Sequence, residues 1–199
     1  MPSSLARAAL FVLLLIAAPF PAGAQWTLSA GIRAPRFSGG ATEPATGRSL
    51  LPYRPTMWEV GLERARGSVE LGLRLRYASS SLALEGDEAV AVVKDALSVY
   101  GIDPEVSFRL GRPGPGVAVR AYAGPTLDIW TLPDAGSRVR LGASAALGLE
   151  IPFGRRWAGV ARVGGAVTAS PFDKEDLEVG LERRTLWRRE ASATLRYRL

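Results

Sequence analysis

The side chains able to do chemistry in this sequence are carboxylates and guanidiniums, because its 199 residues include no His and no Cys. Without His the chain lacks the commonest general base and metal ligand. Without Cys it has no thiolate nucleophile, no Cys-ligated metal and no disulfide. Glu59 and Glu63 are spaced so that both fall on one face of a strand. Paired carboxylates can do acid–base work. On a strand face they more often serve as ion-pair partners, since a buried unpaired charge is costly. Asp173, Glu175, Asp176 and Glu178 offer hard oxygen donors of the kind Ca²⁺ takes, but their spacing fits no calcium loop and reads as a solvated charge run. The Gly-rich piece from Gly159 to Gly165 carries no phosphate-binding fingerprint. No catalytic, cofactor-binding or metal-binding residue is assigned, and no cofactor is expected.

Lys and Arg outnumber Asp and Glu, 25 to 19, for a formal charge of +6. The arginines are scattered at strand spacing rather than clustered with aromatics, so nucleic acid is not an expected partner.

The elements that hold these charges are strands. From Val69 to Tyr77 every second residue is apolar (Val69, Leu71, Leu73, Leu75, Tyr77), and Glu70, Gly72, Arg74 and Arg76 lie between. A period of two places the two sets on opposite faces of a β-strand. Ala191, Leu195, Tyr197 and Leu199 repeat the pattern at the C-terminus against Ser192, Thr194, Arg196 and Arg198. Alternation predicts further strands over about 25–33, 58–63, 98–110, 117–129, 139–151 and 157–169, and the last strand from about 184, making eight in all. Pro104, on the apolar parity, predicts a local bulge or a broken ladder bond. Residues 34–55, 79–96, 132–138 and 171–183 read as loops, and 66–68, 111–116 and 152–156 as turns. The part from Ala89 to Leu97 is open between a short helix and a strand extension.

Residues 1–24 read as a cleaved signal peptide. Arg7 supplies the positive start, Ala8 to Ala18 an apolar run too short to span a bilayer, and Ala22-Gly23-Ala24 an A-x-A cleavage site. The mature domain is expected over 25–199, outside the cytoplasm.

Connections alternate between short (after strands two, four and six) and longer ones. This is the build of a transmembrane β-barrel, with short periplasmic turns, long extracellular loops and an even strand count. A soluble lipocalin-like barrel also alternates. Three features favour the membrane. The apolar face is nearly free of charge, while Glu63, Glu70, Arg74, Arg120, Arg140, Glu150 and Arg162 share the other face with many Gly and Ala residues. Trp26, Trp157 and Tyr197 fall at one end of their strands, and Trp58, Tyr77 and Trp187 at the other, as two aromatic girdles would. The loop asymmetry is the third.

With the signal peptide, the eight alternating segments, the Tyr122-Ala123-Gly124-Pro125 stretch and the ending Leu195-Arg196-Tyr197-Arg198-Leu199, the chain resembles the small eight-stranded outer-membrane proteins of Gram-negative bacteria, the OmpA-like and OmpX-like barrels. The resemblance covers the whole mature chain. It implies an all-β, antiparallel up-and-down barrel in the outer membrane with both termini periplasmic, a monomer lying among outer-membrane lipids and lipopolysaccharide. It also implies handling by the barrel-assembly machinery, although such barrels usually end in an aromatic residue and this one ends in Leu199. The enzymes of that group (palmitoyl transfer, deacylation, omptin-type proteolysis) resemble one another in needing a histidine, and this chain has none.

Two functional classes remain beside the soluble lipocalin-like binding barrel. One is a structural or interaction barrel whose loops meet partners. The other is a small pore or a carrier of small or apolar solutes. The inward acids are Glu59, Glu63, Glu70, Asp103, Glu105, Asp128, Glu150 and Glu190; the inward arginines are Arg33, Arg74, Arg76, Arg109, Arg120, Arg140, Arg162, Arg188 and Arg196. An interior of eight strands has room only for side chains, so these charges are expected to pair and plug it. Arg74 is expected to pair with Glu63, and Arg120 with Glu105.

Overall fold

The computed structural model describes residues 25–86, 90–132 and 136–199. The expected signal peptide, 1–24, lies outside them. The strands are β1 (Gln25–Thr42), β2 (Ser49–Tyr53), β3 (Met57–Arg66), β4 (Val69–Glu85), β5 (Val90–Gly114), β6 (Val117–Leu132), β7 (Gly136–Pro152), β8 (Trp157–Thr168) and β9 (Glu182–Arg198). Consecutive strands pair antiparallel from β3 round to β9, β1 pairs with β3, and β9 pairs back to β1 from Thr27↔Arg198 to Thr42↔Glu182. Eight strands thus close a ring. The short β2 sits above β3, joining β1 at Ala41↔Leu50 and β4 along 49–53.

Parity works as the alternation predicts. On the outer face Leu141 is 67% exposed, Val163 64% and Leu147 53%, while on the inner face Arg74 and Asp128 are fully buried. Trp58, Tyr77 and Tyr100 lie side by side on three neighbouring strands, the two tyrosine rings 4.8 Å apart. At the other end the Trp157 and Tyr197 rings meet at 4.7 Å, tilted by 53°, and Arg64 lies 5.0 Å over Trp26.

The end carrying the chain termini has tight turns. Gly67-Ser68 joins β3 to β4 and Pro115-Gly116 joins β5 to β6, with Gly67 (φ 63°) and Gly116 (φ 76°) in the left-handed region that only glycine adopts freely. The expected turn at 111–116 is therefore shorter, since β5 runs on to Gly114 through two register shifts.

The expected loops at the opposite end are largely strand. Residues 34–42 continue β1, 49–53 form β2, and 79–85 with 90–96 extend β4 and β5 as a hairpin. That decides the 89–97 stretch for a strand extension from Val90 onward. Leu132 and 136–138 are strand as well, and only 169–181 remains mostly irregular, with one 3-10 turn at Lys174–Asp176.

Pro104 has the broken ladder rather than the bulge. It pairs with Leu73 on β4, but the β5–β6 ladder lapses between Ile102↔Leu127 and Val106↔Ala123 without a change of register. Gly124 lets the strands pass there, since a Cβ on it would lie 2.0 Å from the Pro104 carbonyl oxygen.

Candidate functional site in the barrel interior

Inward charges from all eight ring strands meet in one continuous network. Arg33 on β1 donates to Glu59 (2.6 Å) and Glu190 (2.6 Å). Arg74 on β4 reaches Glu63 at 2.7 Å, Glu105 at 2.8 Å and Glu59 at 3.4 Å. Arg76, next inward on the same strand, donates to Asp103 (2.7 Å), Asp128 (2.5 Å) and the Thr126 hydroxyl (2.6 Å). Arg188 on β9 links Asp128 (3.2 Å) to Glu190 (2.8 Å). Arg162 on β8 donates to Glu105 at 3.1 Å, its guanidinium 3.5 Å over the Tyr122 ring. Ser29 and Thr194 satisfy further lone pairs, the first on Glu63 (2.8 Å) and the second on Glu59 (2.7 Å).

Toward the terminal end the network finishes in a closed square. Arg120 donates to Glu70 (2.8 Å) and Glu150 (2.9 Å), and Arg196 to the same two carboxylates (2.9 and 2.7 Å). Arg74 pairs with Glu63 as expected. Arg120 does not pair with Glu105, which is taken by Arg74 and Arg162. The β5–β6 register sets Arg120 opposite Arg109 and Val106 opposite Ala123, so Glu105 lies about four residues deeper than Arg120, which stands near the turn with Glu70 and Glu150.

Small residues leave the volume that the guanidiniums fill. A Cβ on Gly101 would lie 2.3 Å from the Arg76 Cζ, and one on Gly148 would lie 2.9 Å from the Tyr122 ring and 3.1 Å from Arg162 Cγ. The Gly and Ala among the inward charges are thus the counterpart of the large side chains opposite. Between the network and β7, beside Ser144 and Ala146, a void of about 20 Å³ remains. That is about enough for one water.

Above the network, toward the loop end, the interior turns apolar. Met57, Ala78, Leu97, Val99, Trp130 and Leu186 form a buried cluster, with Phe37, Leu82 and Leu132 against it. Trp130 meets Phe37 edge-on at 5.9 Å. The sequence reading missed this layer. Its signal was available, since Trp130 shares parity with Asp128, and Leu97 and Val99 share parity with Asp103.

The segment 169–181 folds over this cluster. Ser170 donates to the Gly40 carbonyl (2.8 Å), Phe172 is buried, and Arg140 donates to the Ser170 carbonyl (2.5 Å) and to Asp173 (2.8 Å). Of the loop acids considered for Ca²⁺, Asp173 takes Arg138 (2.6 Å), Arg140 and Arg183 (3.5 Å). Its carboxylate is committed to guanidiniums.

At the terminal end the square forms the floor of a cavity of about 540 Å³. Arg109, which the sequence places inward, lies in its wall.

This is the fold of the small outer-membrane β-barrels. Among solved structures, the chain is similar to Neisserial surface protein A (TM-score 0.59, 12% identity, 89% of this chain and 99% of that one). It is also similar to a major outer membrane protein from Thermus thermophilus (TM-score 0.53, 16% identity, 89% and 100%), and to the outer membrane protein OprG from Pseudomonas aeruginosa (TM-score 0.52, 10% identity, 88% and 95%). No family model and no curated protein matches the chain.

Proposed function

We infer that the chain is an outer-membrane barrel closed through its middle, non-catalytic, working through its loop-end surface. The observation that carries this reading is the network that draws on all eight ring strands and leaves about 20 Å³ beside it. The apolar cluster and the folded-over segment 169–181 close the loop end a second time. A solute crossing would have to break charge pairs buried from water, at several kcal/mol for each.

The outer face supports the membrane. In water, Leu141, Leu147 and Val163 with their neighbours would form a contiguous apolar surface of a size that soluble monomers avoid. From Trp187 to Tyr197 on β9 the span is that of a tilted strand crossing the hydrocarbon, about 9–11 residues. The short turns then face the periplasm with both termini, after removal of residues 1–24 and insertion by the barrel-assembly machinery. The strand extensions stand among the lipopolysaccharide saccharides, and the barrel is a monomer there.

Single-channel recording in planar bilayers tests the closure. The wild type is expected to give no stable unitary conductance; steady steps would transfer the reading to a small pore. Fractionation tests the location: the mature chain is expected in the outer membrane after carbonate washing, and release into the soluble periplasm would return it to the lipocalin-like class.

A further inference from the structure

The cavity at the terminal mouth departs from the rule that governs the rest of the interior. Above it every inward arginine of the network has a carboxylate partner. Around it stand Arg109, Arg112, Arg120, Arg155, Arg156, Arg196 and Arg198, against two acids, Glu70 and Glu150. Both acids are consumed in the square with Arg120 and Arg196. Arg156 donates to the Tyr197 hydroxyl at 3.1 Å, which adds no negative charge. Arg109, Arg112, Arg155 and Arg198 have no carboxylate partner among the described residues. Arg109 is the most telling, because it is half-buried on the lumen parity of β5 and its Nε is buried with no hydrogen-bond acceptor.

We propose that this mouth is a binding site for a small soluble anion bearing several negative charges on phosphate-type or carboxylate groups. Planar guanidinium forks match such groups with paired hydrogen bonds. The volume, about 540 Å³, lies in the range of small-molecule sites. The floor is a neutral square of two Arg and two Glu, so an anion is drawn in by the wall and stopped by the floor. The occupant is soluble rather than a lipid headgroup, because the deep lining, Thr27, Glu70, Ala118 and Arg120, faces the lumen, while Trp157 of the outer girdle stands at the rim. This site is independent of whether the lumen conducts.

The test is calorimetric titration of inorganic pyrophosphate into the barrel in neutral detergent at low salt. The wild type is expected to bind, and Arg109→Gln and Arg198→Gln each to weaken binding by about tenfold or more, the worth of one charge-assisted contact. Neither residue has a partner to lose, so both variants are expected to keep the heat-modifiable band shift of a folded barrel on gels. Arg189→Gln removes the same charge from the outer surface and is expected to bind as the wild type does. No binding by the wild type, or an equal loss in Arg189→Gln, overturns the proposal. Repeating the titration in phosphatidylglycerol nanodiscs separates the sources. Affinity matching that in phosphatidylcholine discs supports a soluble occupant, and abolished binding would give the mouth to headgroups.

Discussion

The two halves of the interior solve the same packing problem in opposite ways. In the half ringed by the apolar outer face, the lumen is filled by arginines and carboxylates from every wall strand. Toward the loop end, from the level of the girdle of Trp58, Tyr77 and Tyr100, it is filled by Trp130, Met57, Leu97, Val99 and Leu186, with Phe37, Leu82 and Leu132 of the strand extensions against them. The polar half is tied to its surroundings: with its outer face committed to lipid, the inside is where charge and hydrogen bonding can be placed. On the proposed topology the extensions have water outside and can pack as a soluble barrel does. Parity therefore tells which side of the wall a residue faces, and depth decides what chemistry belongs on that side.

The sharpest way to break this contrast is to unpair the polar half. Arg74→Ala leaves Glu59, Glu63 and Glu105 short of a shared partner, and is expected to lower stability by about 3–5 kcal/mol. Urea unfolding in detergent, followed by the gel shift, measures it; a loss below 1 kcal/mol would mean a hydrated lumen. The outer face gives the next effect. Leu147→Arg on β7 is expected to cost about 2–4 kcal/mol in a bilayer. Val93→Arg, equally exposed but on the β4–β5 extension, is expected to cost almost nothing. Comparable losses at both would erase the boundary between lipid and water.

In the apolar half Leu97→Ala is expected to cost about 2 kcal/mol through the cavity it leaves. Thermal unfolding should register that loss with little change in the ion-pair half. The smallest effect is a coupling energy. Arg120 with Glu70 should give about 1–2 kcal/mol in a double-mutant cycle, and Arg120 with Glu105, which it does not touch, should be additive. The reverse ranking would shift the strand register.

Alternation made the ring legible, and with it the inward position of all eight acids and of the arginines that pair with them. Partner identity was less so. Arg74 with Glu63 lies on adjacent strands and follows from counting, whereas Arg162 reaches Glu105 three strands away, a contact set by tilt.

The loop-end extensions were hidden by their own composition. Pro35 and Pro52 argue against strands, since each removes a ladder donor. Both stand beside the stretch where β1 and β2 face each other unpaired, between Arg33↔Met57 and Ala41↔Leu50, so the missing N–H breaks nothing. The basic mouth was half legible. Arg109 and Arg198 fall on the inward parity, but only the closed square shows that the nearby acids are already taken.

The pairing of charges between strands also constrains how the molecule comes into being. No single hairpin is self-sufficient: β8 brings only Arg162, whose carboxylate is on β5, and β1 brings Arg33, whose partners are on β3, β5 and β9. The first and last strands meet only after nearly the whole chain is in place, with Thr27 against Arg198. A partial sheet entering the hydrocarbon would carry naked charges on one face and unpaired backbone at both edges. Each of these is costly in lipid. Closure and entry are therefore expected to be coupled, and a chain arrested short of β9 is expected to have no stable resting place in the bilayer unless another protein covers its edges.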